Sequence, residues 1–221
     1  MIDNKENLEK IRNNLIKEVS DEKFQYEIVR CLKEGNKEFE SDRKKNKKPI
    51  DSYKSSKGMD RAKKIGDMIC NSKEFNKIGV KVDVFLSQGI PVIYLKDIMF
   101  TIKSLKDSKD ILKNNSDYIK KYSKLNRKLN PQISIDTIFD EESNNFVYNY
   151  YGVIVYHISN AGILEFVKFI FLNENTKEIL LEISVNKNII NSEEKITSKE
   201  PEIVSEDNIK GKSLKKLLRI K

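Results

Sequence analysis

The sequence has one histidine, two cysteines, eight glycines and four prolines in 221 residues, and each scarcity narrows what it can do. A Ser–His–Asp relay would have to use His157, and no Gly-x-Ser-x-Gly elbow accompanies it. His157 lies in an apolar run beside Val155, where a satisfied, mostly buried histidine is the plainer expectation than a general base. Cys31 and Cys70 sit in apolar-periodic helical stretches and read as two buried free thiols in a reducing cytoplasm. With one distant histidine they match no paired-ligand zinc spacing. Neither Gly-x-Gly-x-x-Gly nor a Walker-type loop is present, so backbone cradling of phosphate is poorly supplied. No apolar run approaches the ~20 residues of a membrane helix. The longest ones are broken by Asn149, Glu165 and Lys168. The opening MIDNKENLEK is charged from its third residue and lacks the apolar centre of a secretory signal. The expectation is a cytoplasmic protein with no cofactor.

What is present is concentrated in residues 144–185, NNFVYNYYGVIVYHISNAGILEFVKFIFLNENTKEILLEISV. Residues 146–158 are apolar on both pleat faces. Phe146, Tyr148, Tyr150, Ile154, Tyr156 and Ile158 share one face, and Val147, Tyr151, Val153, Val155 and His157 the other. A strand without alternation is covered on both sides, which makes this the central strand. Gly152 in its middle marks a bulge or a close approach by another backbone. Residues 163–172 are nearly as apolar, whereas Ile179, Leu181, Ile183 and Val185 alternate with polar residues as in a half-exposed strand. Short turns at 159–162 and 173–176 make the three an antiparallel meander.

The fold class is therefore α+β: a meander over about 133–185, joined by a hairpin at 80–95 and packed with N-terminal and central helices. Residues 1–40 read as a helical hairpin, with Leu8, Ile11, Leu15 and Val19 on the first helix. Asp21 caps the second, and Gly35-Asn36 stops it. Residues 41–58 lose periodicity and read as a basic linker, and 59–185 form the α+β core. Within that core, 97–128 look helical, with Ser116 capping a second helix, and Ile133, Ile135 and Ile138 offer a short strand. Residues 186–209 read as a disordered acidic tether, and 210–221 as a basic amphipathic tip.

Charge is the most informative property. The net charge of +8 is unevenly distributed: +7 in residues 41–64, +6 in 103–128 and +6 in 210–221, against −6 in 129–185. Arg43, Lys44, Lys45, Lys47 and Lys48 carry the first excess. Lys120, Lys121, Lys124, Arg127 and Lys128 carry the second. In the third, Leu214, Leu217 and Leu218 lie on one helical side, with Lys215, Lys216 and Arg219 around them. Converging, such segments would attract an acidic protein surface or nucleic acid. A tether ending in a short amphipathic motif has the form of a docking peptide. The weight of Lys, Asn and Ile is that of an AT-rich genome, as in a low-GC bacterium or its phage.

The one acidic cluster, Asp136, Asp140, Glu141 and Glu142, makes Asp136 and Asp140 weak candidates for magnesium ligands. The string Glu165-Phe166-Val167-Lys168 has one residue too many to put Glu and Lys on one strand face with a nuclease-like Asp83. The helix–helix–helix–hairpin order of residues 4–95 resembles a winged helix in outline, with Arg61, Lys63 and Lys64 on the third helix. The leading expectation is a non-catalytic binding or adaptor protein. A sequence-nonspecific nucleic-acid binder is the alternative, and a metal-dependent phosphoesterase comes third.

Overall fold

The apolar runs condense into a six-stranded sheet of order β1-β2-β3-β4-β5-β6 in the computed structural model, which describes residues 4–45, 57–85, 89–113, 116–129 and 148–192. The strands are β1 (Lys81–Phe85), β2 (Ile90–Leu95), β3 (Ile98–Ser104), β4 (Tyr150–Ile158), β5 (Leu164–Leu172) and β6 (Ile179–Ser184). Every neighbouring pair is antiparallel except β3 with β4, which run parallel. The helices are α1 (Asn4–Val19), α2 (Glu22–Lys45), α3 (Lys57–Cys70), α4 (Lys73–Lys77), α5 (Asp117–Ser123) and α6 (Lys187–Asn191). The described residues up to Asn191 form one compact unit. The α+β class, the hairpin and the β4–β6 meander are as expected; the strand around Ile133 and the tip at 210–221 lie outside the described residues.

The two faces of the sheet bury separate cores. On one, Phe24 of α2 meets Phe75, Phe100 and Phe169 with ring centroids 6.3, 6.1 and 5.7 Å away. Ile28, Leu32, Ile65 and Ile69 extend that core along the helices. On the other, Val92, Met99, Tyr151, Val153, Val155 and Ile170 pack with Ile111 and Ile119. These last two come from the β3–β4 crossover. Burial on both faces explains why β4 shows no alternation. Tyr148 departs from the expected pattern: it lies before the strand begins and packs with the second core.

Four expectations need correction. Residues 98–104 form β3, where a helix was expected. The chain turns at Lys96-Asp97 with Lys96 at φ 49°, and the Asp97 carbonyl accepts from the amides of Asn149 and Tyr150. Gly35 does not stop α2, which continues to Lys45. A Cβ at Gly35 would stand 2.7 Å from the Ile65 Cα, so the glycine is there because α2 and α3 cross at backbone contact. Arg43, Lys44 and Lys45 consequently belong to the last turn of α2, and Lys57 and Gly58 to α3, with only 46–56 of the expected linker outside the described residues. The tether does not begin at 186, because α6 follows and Ile190 is buried in the helical core. Beyond it, 193–209 lie outside the described residues.

At the open edge, the Asp83 carboxylate accepts from the Val84 amide at 2.8 Å, occupying a donor that β1 would otherwise offer to another strand. Gly152 marks a close approach, as expected, but by a side chain: its Cβ would lie 2.4 Å from the Phe100 ring. Gly152→Ala should therefore lower unfolding stability by about 2 kcal/mol through overpacking. Gly58→Ala, with nothing within 4 Å, should be neutral or raise it by about 0.5 kcal/mol. Paired urea titrations check both.

Candidate functional site

The crossover from β3 to β4 lays residues 105–129 across the second face as a short 3-10 segment (Ser108–Leu112), α5, and a second 3-10 segment (Lys124–Leu129). Tyr118, Ile119, Tyr122 and Leu125 turn toward the sheet. The outward side then carries Lys120, Lys121, Lys124 and Lys128, all exposed, with Lys106, Lys109 and Lys113 on the preceding segment. Ser116 begins α5, as expected, but its hydroxyl accepts from the Lys103 ammonium at 3.0 Å and caps nothing. Burial lowers the Lys103 pKa from its ordinary value.

Asn126 fixes this layer to the sheet. Its side-chain amide is fully buried; Nδ2 donates to the Tyr151 and Leu172 carbonyls at 2.7 and 2.9 Å, and Oδ1 accepts from the Tyr151 amide at 2.9 Å. One side chain thus occupies the place of a peptide unit between β4 and β5. Arg127 turns inward as well, pairing through Nε with Glu174 at 2.7 Å. Of the expected second basic group, Arg127 is thereby spent on the acidic β5–β6 turn, while Lys120, Lys121 and Lys128 make no ion pair among the described residues.

The first basic group is less available. Arg43 pairs with Glu40 at 3.3 Å. On α3, Arg61 pairs with Glu40 at 3.2 Å and reaches the Ile158 carbonyl, while Lys64 pairs with Glu38 and Asp42 at 3.1 and 2.9 Å. Two of the three α3 residues that a winged helix would present outward therefore clamp α3 to α2, and the hairpin is part of a six-stranded sheet. Lys44 and Lys45 are exposed. Lys47, Lys48, Leu214, Lys215, Lys216, Leu217, Leu218 and Arg219 lie outside the described residues, as do Asp136 and Asp140. No group of three or more His, Cys, Asp or Glu side chains stands in reach of one metal ion among the described residues.

Beneath the lysines lies an aromatic group that periodicity alone did not assemble. Tyr94 and Tyr148 stack with centroids 4.5 Å apart, and the Lys81 ammonium stands 5.8 Å over the Tyr94 ring. Tyr122 is 5.7 Å from Tyr151 and carries the Lys121 ammonium 5.6 Å over its own ring. Burial raises the Tyr94 phenol above its ordinary pKa, and Tyr148, Asp83 and Tyr122 add to the shift. The Tyr151 hydroxyl is buried and shares a 2.6 Å hydrogen bond with Thr101. The signal in sequence was tyrosine at 118 and 122, one turn apart and next to lysines; residues 94, 148 and 151 join them only through the sheet.

Two further polar groupings are structural. Glu27, buried on α2, accepts from Arg30 at 2.6 Å and from the Ser72 hydroxyl, with Cys31 at 3.4 Å. Ser72 is the N-cap of α4, so this knot joins two helices. Cys31 is buried and its thiol pKa is pushed up, first by burial, whereas Cys70 is exposed, against the expectation of two buried thiols. His157 is partly buried against Phe166, with Glu165 at 3.8 Å.

No family model matches this chain, and neither does any curated protein or solved structure. No helix among the described residues is long and apolar enough to cross a membrane.

Asn126→Ala would strand three buried backbone groups and should cost about 3 kcal/mol or more of stability, read by urea denaturation. For Glu27, burial pushes the pKa up, but the bonds from Arg30, Ser72 and Cys31 outweigh it and leave it below its ordinary value of 4.5. Its contribution is present at neutral pH and is lost as pH falls below 4.5 through the folded value. Glu27→Gln should lower stability at pH 7 and flatten the acid limb of stability against pH.

Proposed function

We propose that this protein is a non-catalytic binding protein that engages an acidic macromolecular partner through the outward lysines of the β3–β4 crossover. The observation that carries the reading is that Lys106, Lys109, Lys120, Lys121 and Lys128 are exposed and make no ion pair among the described residues. On the α2–α3 side, by contrast, Arg43, Arg61 and Lys64 are neutralised by carboxylates of α2, which leaves Lys44 and Lys45 exposed there. Five exposed lysines on one segment create a local positive field, and such a field raises the encounter rate with polyanions. The polar knots at Glu27 and Asn126 serve packing, which favours binding over chemistry. The tip at 210–221, with its six basic residues, would add a second contact of the same sign.

The test is retention on immobilised heparin and on polyglutamate at low salt. Wild-type protein should be held on both, and the triple variant Lys120→Glu, Lys121→Glu, Lys128→Glu should elute at clearly lower salt with an unchanged melting temperature. A tip deletion should weaken retention less than the triple variant does. Passage of the wild type through both columns at low salt would dispose of the reading.

A further inference from the structure

The lysine layer covers a face on which five of the nine tyrosines of the chain are gathered. Tyr94, Tyr118, Tyr122 and Tyr148 are half-buried, so each keeps part of its surface in solvent, while Tyr151 is wholly buried beneath them. A carboxylate partner has little use for such rings; it would be satisfied by the lysines alone. Nucleobases differ, because each presents a flat π-face that stacks on an aromatic side chain whatever its sequence. Lys81 over Tyr94 and Lys121 over Tyr122 place a cation beside each ring system, 5.8 and 5.6 Å from the centroids. A strand whose phosphates follow the lysines would therefore bring its bases against the tyrosines. The cations are lysines in this layer, with Arg127 already committed to Glu174. Point charges of this kind hold phosphate without the planar fork that reads base edges.

We infer that the partner is single-stranded nucleic acid, bound without sequence preference, its backbone along Lys120, Lys121 and Lys128 and its bases against the Tyr94–Tyr148 stack. The inference rests on the binding reading above and names its ligand class. Duplex nucleic acid offers the same phosphates but keeps its base faces inside the helix, so it engages the lysines alone. An acidic protein does likewise.

The chain contains no tryptophan, so its intrinsic emission comes from tyrosine and reports directly on these rings. The full-length protein is titrated with a 20-nucleotide oligo-dT, a duplex of equal length and polyglutamate, following ligand anisotropy and tyrosine emission. Expected are tighter binding of oligo-dT than of the other two, and tyrosine quenching by oligo-dT only. Three neutralised phosphates should give a log–log salt slope of about −2. Tyr148→Leu should weaken oligo-dT about tenfold and leave polyglutamate unchanged, with Tyr148→Phe restoring the affinity. Tyr94→Leu serves as the second variant should Tyr148→Leu melt early. Equal binding of all three ligands without quenching would overturn the nucleic-acid inference and leave the acidic-partner reading standing. Failure to bind any of them at low salt would remove both.

Discussion

Two parallel strands cannot be joined by a tight turn, so the pairing of β3 with β4 obliges the chain to leave the sheet after Ser104 and return at Tyr150. That excursion is what covers the second face. Without it, Tyr151, Val153 and Val155 would stand in water, and β4 would need the alternating pattern of a one-sided strand. The crossover also decides where charge goes. Its inner side is committed to the sheet through Ile111, Ile119 and Asn126, and the lysines between those positions have nowhere to point but outward. The basic surface is therefore a consequence of topology as much as of composition.

The α2–α3 side uses charge differently. Glu38, Glu40 and Asp42 on α2 face Arg61 and Lys64 on α3, and the pairs are partly exposed, so each contributes little by itself. Their effect is to fix the azimuth of α3 above α2, at the spot where Gly35 lets the two backbones touch. Charge excess by segment treats these residues and the α5 lysines alike, yet one set closes an internal crossing and the other remains on the surface.

Much of the fold was legible because burial writes itself into periodicity. Residues 150–185 spell three strands, and Asp21 caps α2 with its carboxylate accepting from Phe24 at 2.9 Å. What escaped had physical reasons. The apolar string from Ile98 to Ile102 is short enough to suit either helix or strand, and the Lys96-Asp97 turn lacks the glycine that normally announces a hairpin. Gly35 has the look of a terminator because sequence cannot distinguish a glycine needed for φ from one needed for space. The lysines of the candidate surface were visible as a charge excess. The tyrosines beneath them were not, since Tyr94, Tyr122 and Tyr148 meet only once β2, α5 and β4 are brought into register.

Asn126 has a mechanical implication. A loop held by side-chain packing can swing open while the sheet beneath stays whole. A loop whose amide is spliced into the ladder between Tyr151 and Leu172 cannot lift without unzipping that end of the sheet. The surface above it is therefore a fixed anvil, and whatever settles there must do the bending.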